Sequence, residues 1–333
     1  MLLNYVLKRL LQIIPLLIVI SILCFIIIQL PPGDYITTYT NQLRASGVIL
    51  TENQIEALSV RYGFHRSMPE QYFYWMKNII LHGDFGTSFL WNKPVTEVLS
   101  QTVPYTLVIS FLTLIFIWVV GIPIGIFSAI RQYSVADYIF SFLAFAGLAI
   151  PGFLLALFIV FQIFLHTGVV FVGLNSPEFL EAPWSMAKFL DMLPRLLLVV
   201  FLIGMPSLAG LVRTTRAMLL DELQKQYVTT ARAKGLTEKK LLFKYPIRMA
   251  INPMVSTIGW TIPALISGEI IISIVLSIPT TGPMLRRALM AQDMYLAGSF
   301  LLIVGALTIV GTLISDILLA ILDPRIRLGG GTN

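Results

Sequence analysis

The chain has 333 residues, of which 57% are hydrophobic and 12% are charged, and its mean hydropathy is +0.85. Soluble domains carry roughly twice that charged share. A water-soluble fold of this length could not bury so much apolar surface, so the composition excludes that class and predicts a membrane protein. The formal net charge of +6 fits nucleic-acid binding or basic cytoplasmic loops, and the positions of the charges decide between them. The single cysteine, Cys24, excludes an internal disulfide and a Cys-based metal cluster, and its apolar neighbours predict a small buried side chain.

Six stretches are long and apolar enough to cross a bilayer, which takes about 20 helical residues. We predict spans over 9–30, 104–130, 138–166, 193–216, 252–278 and 296–322. The first apolar core is too long for a secretion signal, and no small-x-small cleavage site follows it. We therefore expect an uncleaved first span.

The segment 31–102, between the first two spans, carries the signals of two short amphipathic helices. Each begins with capping-box spacing and ends at a glycine: Thr51, Gln54 and Gly63 in the first, Ser67, Glu70 and Gly83 in the second. Two such helices predict a small cap over an extracytoplasmic mouth. Helices lying on the lipid surface are the alternative, because Tyr72, Tyr74 and Trp75 also suit a membrane interface.

The second, third and fourth spans contain residues typical of closely packed, bendable helices. Gly121 and Gly125 are four residues apart, which lets a neighbouring backbone approach, and Pro123 between them removes a backbone donor. Pro151 and Pro206 lie within or beside the next two spans. Interrupted helices are common where a pathway opens and shuts, but this pattern alone does not indicate transport.

A basic segment, "YVTTARAKGLTEKKLLFKYPIRMA", separates the fourth and fifth spans. We predict one short helix over Tyr227–Lys234 and a second over Thr237–Tyr245. Gly235 is placed to end the first helix in the left-handed conformation, and Pro246 should bend or end the second. The second helix has an apolar face (Leu241, Leu242, Tyr245, Met249) and a basic face (Lys239, Lys240, Lys244). Such an element either lies on anionic lipid or fits a partner's groove.

Two acidic residues lie inside predicted spans. Glu269 is in the middle of the fifth, where a bare charge costs several kcal/mol, so it either faces a pathway or packs as a neutral hydrogen-bonded group. Asp316 lies near the cytoplasmic end of the sixth, and we expect it to pair with a nearby Arg or a backbone amide.

The basic residues predict the orientation. A cytoplasmic N-terminus puts fourteen of the 23 on that side: Lys8, Arg9, Arg131, the nine from Arg213 to Arg248, Arg325 and Arg327. We therefore predict both termini in the cytoplasm. Arg286 and Arg287 then fall outside, and the sequence leaves open whether they contact lipid headgroups, a partner subunit or a ligand.

The sequence gives no sign of catalysis. It lacks the G-x-x-x-x-G-K-[ST] phosphate loop, so ATP would be bound by another chain. His65, His82 and His166 are scattered without metal-ligand spacing. An ion-driven carrier would show repeated halves or several buried ionisable groups, and an intramembrane enzyme would need catalytic side chains at a common depth. Neither pattern stands out.

The segment "YVTTARAKG" resembles the signature loop of bacterial ABC-importer permeases, a Glu-Ala-Ala…Gly element that docks on the ATP-hydrolysing subunit. Thr229, Thr230 and Ala231 stand where Glu-Ala-Ala would, and Gly235 keeps its place, although the later Ile-x-Leu-Pro portion is not matched. The segment "TARAKGL" resembles the dipeptide/oligopeptide (and nickel) permease family more closely than it resembles the general consensus of importer permeases. Further fragments resemble that family in order: "YVLKRLLQIIPLL", "PPGD", "HGDFGTSF", "LVRTTRAMLLDEL", "SIPTTGPML" and "SDILLAILDPRIRL".

The resemblance implies a fold and an assembly. The fold is an all-α membrane protein with six transmembrane helices, the type I ABC-importer permease fold, and a small helical extracytoplasmic segment. Its parts are 1–30 (N-terminus and first span), 31–102 (extracytoplasmic segment), 103–323 (five-span core with the coupling loop 217–251) and 324–333 (cytoplasmic tail). The chain would lie in the bacterial plasma (inner) membrane, in contact with lipid. Its partners would be a second homologous permease, two cytoplasmic ATPases that bind ATP and Mg, and an extracytoplasmic solute-binding protein. No nucleic acid, and no cofactor or metal in this chain, is expected.

The resemblance also implies the site residues and the cargo. The docking contact would be Ala231, Gly235, Leu236 and Leu241, with rim charges Arg232, Lys234 and Lys239, and with Thr229, Thr230 and Ala233 in the same loop. Many relatives carry a Glu where this chain has Ser273, so no substrate role is transferred to Glu269, and both stay pathway candidates. Oligopeptides are the first choice of cargo, while oligosaccharides and metal chelates remain open. Whether the partner permease is identical or different also remains open.

Overall fold

The structure is a computed structural model that describes residues 2–30, 35–45, 47, 49–62 and 65–322. Its helices are α1 (Leu2–Gln29), α2 (Tyr35–Ala45), α3 (Glu52–Tyr62), α4 (Met68–His82), α5 (Val95–Ile130), α6 (Val135–Ala149), α7 (Gly152–Thr167), α8 (Met186–Leu223), α9 (Gln226–Ala233), α10 (Glu238–Lys244), α11 (Pro246–Val275), α12 (Thr281–Met290) and α13 (Met294–Leu322). A short 3-10 helix covers Pro177–Phe179. Strands β1 (Thr87–Ser88) and β2 (Lys93–Pro94) pair antiparallel, with Thr87 opposite Pro94.

Four helical segments are long and apolar enough to cross a membrane: Arg9–Gln29, Val95–Ile130, Met186–Leu223 and Met294–Leu318. They confirm the predicted first, second, fourth and sixth spans. Helices α5 and α8 have 36 and 38 residues, or about 54 and 57 Å at 1.5 Å per residue. Because a hydrocarbon core is about 30 Å thick, both helices are long enough to continue beyond it.

The predicted third span is not one helix. Helices α6 and α7 meet at a bend of 104° and together count as one span at most. Pro151 disfavours the helical conformation of the residue before it, and Ile150 is accordingly extended at φ −86° and ψ 122°. Helices α5 and α8 continue through Pro123 and Pro206, so of these three prolines only Pro151 interrupts a span.

The predicted fifth span, 252–278, coincides with α11. Several α11 side chains, Glu269 among them, lie outside the described part of the structure. The described residues therefore give four membrane-crossing helices, or five with the bent pair, and the count of six stays a prediction.

The described chain divides into two compact units, and the first contains Thr106–Ile278 with the first turns of α1 and the last turns of α13. In this unit α8 packs against α6, α7 and α11. A Cβ added at Gly125 would lie 2.5 Å from Thr215 Cβ and 2.9 Å from the Val212 carbonyl oxygen, and one at Gly121 would meet Leu208 at 3.1 Å. These distances confirm that the Gly-x-x-x-Gly spacing permits a close helix approach.

The first and last helices of this unit are joined by an ion pair. Arg9 Nη1 lies 3.3 Å from Asp316 Oδ2. The predicted pairing of Asp316 with a nearby Arg is confirmed.

The second unit contains Leu11–Tyr105 and Pro279–Leu307. Helix α4 begins and ends as predicted, because the Glu70 carboxylate accepts hydrogen bonds from the Ser67 amide (2.9 Å) and hydroxyl (2.8 Å), and Gly83 is left-handed at φ 64°. The Thr51 amide donates to Gln54 (2.9 Å) where α3 begins. The predicted stop at Gly63 lies outside the described residues, and α2 was not predicted.

Helix α4 packs on α1 within this unit. Trp75 is 3% exposed and lies against Phe25, and the Ser21 and Tyr72 hydroxyls are 2.7 Å apart. Trp75 is therefore a core residue and not a membrane-interface anchor, which corrects the alternative interpretation of that side chain. Tyr74 stays half exposed, with the Arg66 guanidinium 4.1 Å from its ring centre.

Asp293 joins the β1–β2 turn to the start of α13. It is fully buried and accepts hydrogen bonds from the Ser88 hydroxyl (2.5 Å), the Leu90 amide (3.0 Å) and the Leu296 amide (3.1 Å). Burial raises the pKa of this carboxyl, although the hydrogen bonds oppose the shift. The contacts with Ser88 and Leu90 could not be predicted from local sequence patterns, because these residues lie about 200 positions before Asp293 in the chain.

Candidate coupling site

The basic segment between α8 and α11 forms a compact hairpin of two short helices, α9 and α10. Gly235 lies between them at φ +77°, and its amide donates to the Arg232 carbonyl (3.0 Å). The predicted helices and the left-handed glycine are confirmed within one residue, and α10 ends before Pro246 as predicted. A Cβ at Gly235 would meet nothing within 4 Å, so the glycine is required by the backbone conformation and not by space.

The hairpin has its own small core. Leu241 and Val228 have no exposed surface and Ala231 is nearly buried, with Leu236, Leu242 and Tyr245 packed around them. Leu241 therefore holds α10 against α9, and the prediction that it contacts a partner directly is corrected. Periodicity predicts an apolar face correctly, but it does not show whether that face packs inside the chain or on another protein.

An exposed ion pair bridges the hairpin across the glycine. Arg232 Nε lies 2.5 Å from Glu238 Oε1, and Arg232 Nη2 lies 3.2 Å from Glu238 Oε2. This hydrogen bonding lowers the pKa of Glu238 and raises that of Arg232. Arg232, predicted as a rim charge, thus also fixes α9 relative to α10.

The hairpin is attached firmly to the ends of the long helices. The Tyr227 hydroxyl donates to the Glu222 carboxylate at the end of α8, and burial and this hydrogen bond raise the pKa of Tyr227. A second apolar cluster joins the end of α5, the end of α8 and the start of α11 through Ala129, Leu219, Ile247 and Ala250. Leu242 of α10 packs against both clusters, so the hairpin and the helix ends form one continuous packed region.

The outer surface of the hairpin is cationic and partly apolar. A cleft of about 490 Å³ lies between α9, α10 and the start of α11, and its lining residues are Tyr227, Thr230, Ala231, Lys234, Leu236, Lys244, Tyr245, Arg248 and Met249. Thr229, Ala233 and Lys239 are also exposed. Phe243, which the sequence analysis did not single out, is 64% exposed. An exposed aromatic ring beside several cations is suited to binding an acidic partner surface.

The two pathway candidates, Glu269 and Ser273, both belong to α11. Ser273 is fully buried, and its hydroxyl has no hydrogen-bond partner among the described residues. Only the backbone of Glu269, within α11, can be placed. No group of three or more His, Cys, Asp or Glu side chains within the described residues is arranged to hold a metal ion.

Arg286 and Arg287 lie on the exposed face of α12. With Leu90, Trp91 and Met290 they line a cleft of about 480 Å³ in the second unit.

These features define a class: a helical membrane protein in which a basic helix–Gly–helix hairpin is packed between the ends of two long helices. Residues 121–328 match the family described as "Binding-protein-dependent transport system inner membrane component". Residues 2–110 match the N-terminal membrane component of the same kind of transport system.

Curated relatives match over nearly the whole chain. The sequence is 33% identical to the oligopeptide transport system permease protein AppB of Bacillus subtilis, over 97% of this chain and 99% of that protein. It is 32% identical to a putative peptide permease protein of Brucella ovis, over 98% and 99% of the two chains. It is 29% identical to the dipeptide transport system permease protein DppB of Lactococcus lactis, again over 98% and 99%.

The chain belongs to the family of binding-protein-dependent transport system inner membrane components. The resemblance to peptide-importer permeases is thereby confirmed. Members of this family are membrane permeases and not enzymes.

Proposed function

We propose that this chain is the permease subunit of an ATP-driven importer that carries peptides across the plasma membrane. The proposal is supported by the family and by relatives whose names specify oligopeptide and dipeptide transport. The observation that carries it is the basic hairpin, a self-contained unit fixed to the ends of α5, α8 and α11.

The proposed assembly has a second, similar permease, two ATPases that bind ATP and Mg, and a solute-binding protein. In this arrangement the chain has six spans in the type I importer fold and both termini in the cytoplasm. The hairpin then lies on the cytoplasmic side, where the ATPases are, and 31–102 lies on the opposite side, where cargo is delivered. The excess of basic residues around the hairpin supports this orientation.

The hairpin is suited to transmit movement. Its two helices share a core and an ion pair, so they should move as one body when a docked ATPase moves. Because Leu242 also packs into the cluster at the helix ends, displacement of the hairpin would pass directly to α5, α8 and α11. ATP-driven closure of the two ATPases could then switch the pathway between outward and inward access.

The proposed docking surface consists of half-buried Leu236 and seven exposed residues of the hairpin: Thr229, Thr230, Ala233, Lys234, Gly235, Lys239 and Phe243. Ala231 and Leu241 support it from within the core of the hairpin, and Arg232 supports it through the exposed ion pair with Glu238. The lysines would pair with acidic residues of the ATPase, which favours fast and oriented association. Glu269 and Ser273 stay candidates for the pathway that this docking controls.

The proposal is tested by replacing Gly235 with valine in the purified importer. A β-branched residue at φ +77° adds about 1–3 kcal/mol of backbone strain, so the hairpin should distort while the spans stay inserted. We expect ATP hydrolysis to continue and ATP-dependent import of short oligoalanine peptides to fall about tenfold.

Gly83→Val is the matched control, because Gly83 has φ +64° and open space at its Cβ, but it ends α4 in the other unit. Import by this variant should stay close to the wild-type rate. Normal import by the Gly235→Val complex would refute the role of the hairpin. Purification without an ATPase would favour an ion-coupled carrier instead, and import of oligosaccharides but not of peptides would overturn the cargo alone.

A further inference from the structure

A bidentate ion pair joins α6 to the end of α8. Arg216 Nε and Nη2 lie 2.9 Å from the Asp137 Oδ1 and Oδ2 atoms, respectively. The Asp137 side chain is 3% exposed and that of Arg216 is 26% exposed. The paired geometry makes the bond directional, because a rigid guanidinium fork fits a carboxylate in one orientation.

The turn before α6 is built around the same carboxylate. The Tyr133 amide donates to Asp137 Oδ2 (3.0 Å), and Tyr133 has φ +64°, which is uncommon for a non-glycine residue. The Ser134 hydroxyl caps α6 by accepting from the Asp137 amide (3.2 Å). Asp137 therefore fixes the first turn of α6, the preceding loop and α8 together.

This pair continues the packed region that begins at the hairpin. Arg216 follows Thr215, which lies against Gly125 at a distance that a Cβ could not tolerate. One turn further along α8, fully buried Leu219 belongs to the cluster at the helix ends. Leu242 connects that cluster to the core of the hairpin. Packing contacts thus run from α9 and α10, through half-buried Leu242 and buried Leu219, to the last turns of α8, which also carry Arg216.

Helix α6 is also the first half of the bent pair, which turns by 104° into α7. The Asp137–Arg216 ion pair at the start of α6 would make α6 follow any displacement of the end of α8. Without the ion pair, α6 would still be joined to α5 by the turn of four residues (131–134) and packed against α8, but its first turn would lose the directional bond to Arg216.

We propose that Arg216 and Asp137 are positioning residues that couple the hairpin to the bent helix pair α6–α7, so that ATP-driven movement of the hairpin reaches this part of the permease. The inference rests on the proposed importer function. A purely structural role is the competing explanation, because a buried ion pair is by itself weak evidence for stability or for mechanism.

Two variants separate these explanations. Arg216→Lys keeps the positive charge but loses the fork geometry. The double variant Asp137→Asn/Arg216→Gln removes both charges, so no uncompensated charge remains buried and the fold should persist. Arg9→Gln is the control, since it breaks the Arg9–Asp316 ion pair of the same unit, and neither of these residues belongs to α8.

The measurement is the number of ATP molecules hydrolysed for each labelled oligoalanine peptide imported, using complete importers in proteoliposomes. We expect both Arg216 variants to assemble with their ATPases and to hydrolyse ATP, but with a ratio about tenfold above wild type. Arg9→Gln should keep the wild-type ratio.

Three results would overturn the inference while leaving the importer function intact: a wild-type ratio in both Arg216 variants, an equal rise in Arg9→Gln, or failure of the double neutral variant to assemble. The last result would make the pair a folding element only. If the wild-type complex itself showed no ATP-dependent import, the proposed function would fail, and this outcome is distinct from the other three.

Discussion

Two glycines of this protein meet different physical demands at the scale of single residues. Gly235 is needed for its backbone conformation, since a side chain there would meet nothing within 4 Å. Gly125 has an ordinary helical backbone and is needed for its small size, because α8 leaves no room for a Cβ. Substitution of Gly235 should therefore reduce the coupling of transport to ATP hydrolysis, whereas substitution of Gly125 should reduce stability.

Gly125→Ala should destabilise the first unit. The added methyl group would lie 2.9 Å from a backbone oxygen of α8, so the helices must separate, and overpacking of this kind costs about 1–3 kcal/mol. Thermal unfolding in detergent measures the loss. Gly210→Ala in α8 is the control, because its Cβ meets nothing within 4 Å and alanine favours a helix by up to about 1 kcal/mol. Equal stability of the two variants would contradict this account of Gly125.

Asp293→Ala should loosen the β1–β2 turn from α13. The change leaves the buried Ser88 hydroxyl and Leu296 amide, and the partly buried Leu90 amide, without their acceptor, and each unsatisfied buried donor costs about 1–3 kcal/mol. Chemical unfolding should show a loss of about 3 kcal/mol or more. Glu97→Gln, which breaks the exposed Lys93–Glu97 pair in the same unit, should change stability by less than about 1 kcal/mol. A comparable effect of both substitutions would argue against the anchoring role of Asp293.

At the scale of elements, local signals predicted the hairpin and most spans. The ends of the helices near Gly235 and the capping box at Ser67 depend on residues three or four positions apart in the chain. They can therefore be predicted from the sequence alone. The break between α6 and α7 follows locally from Pro151, but its angle of 104°, the burial of Leu241 and the Asp137–Arg216 pair depend on which elements meet in space. Asp137 and Arg216 are 79 residues apart, and charge patterning along one helix could not connect them.

Phe243 provides a test of the hairpin as a docking element. Its exposed ring belongs to α10 but not to the core of the hairpin, so Phe243→Asp should leave the fold intact. Loss of a buried aromatic anchor from an interface commonly costs 2 kcal/mol or more, so we expect at least about tenfold weaker binding of the ATPase. Binding of purified ATPase to the immobilised permease measures this. Phe73→Asp, an equally exposed ring on α4, should have no effect, and unchanged binding by Phe243→Asp would exclude this ring from the interface.

At the scale of the whole molecule, composition predicted the membrane environment and motif order predicted the family, both of which the comparisons confirm. Basic residues concentrated around the hairpin are the physical reason to place it in the cytoplasm. This placement determines which side of the membrane supplies ATP and which side supplies cargo.

The central claim is most directly tested by a single cysteine at Lys239 on the exposed face of α10, in a chain in which Cys24 is replaced by serine. In intact cells we predict that a membrane-impermeant thiol reagent does not reach this cysteine, and that a short bifunctional cross-linker joins it to a nucleotide-hydrolysing subunit. Labelling from outside the cell, or cross-linking that never captures such a subunit while the complex is active, would contradict the account.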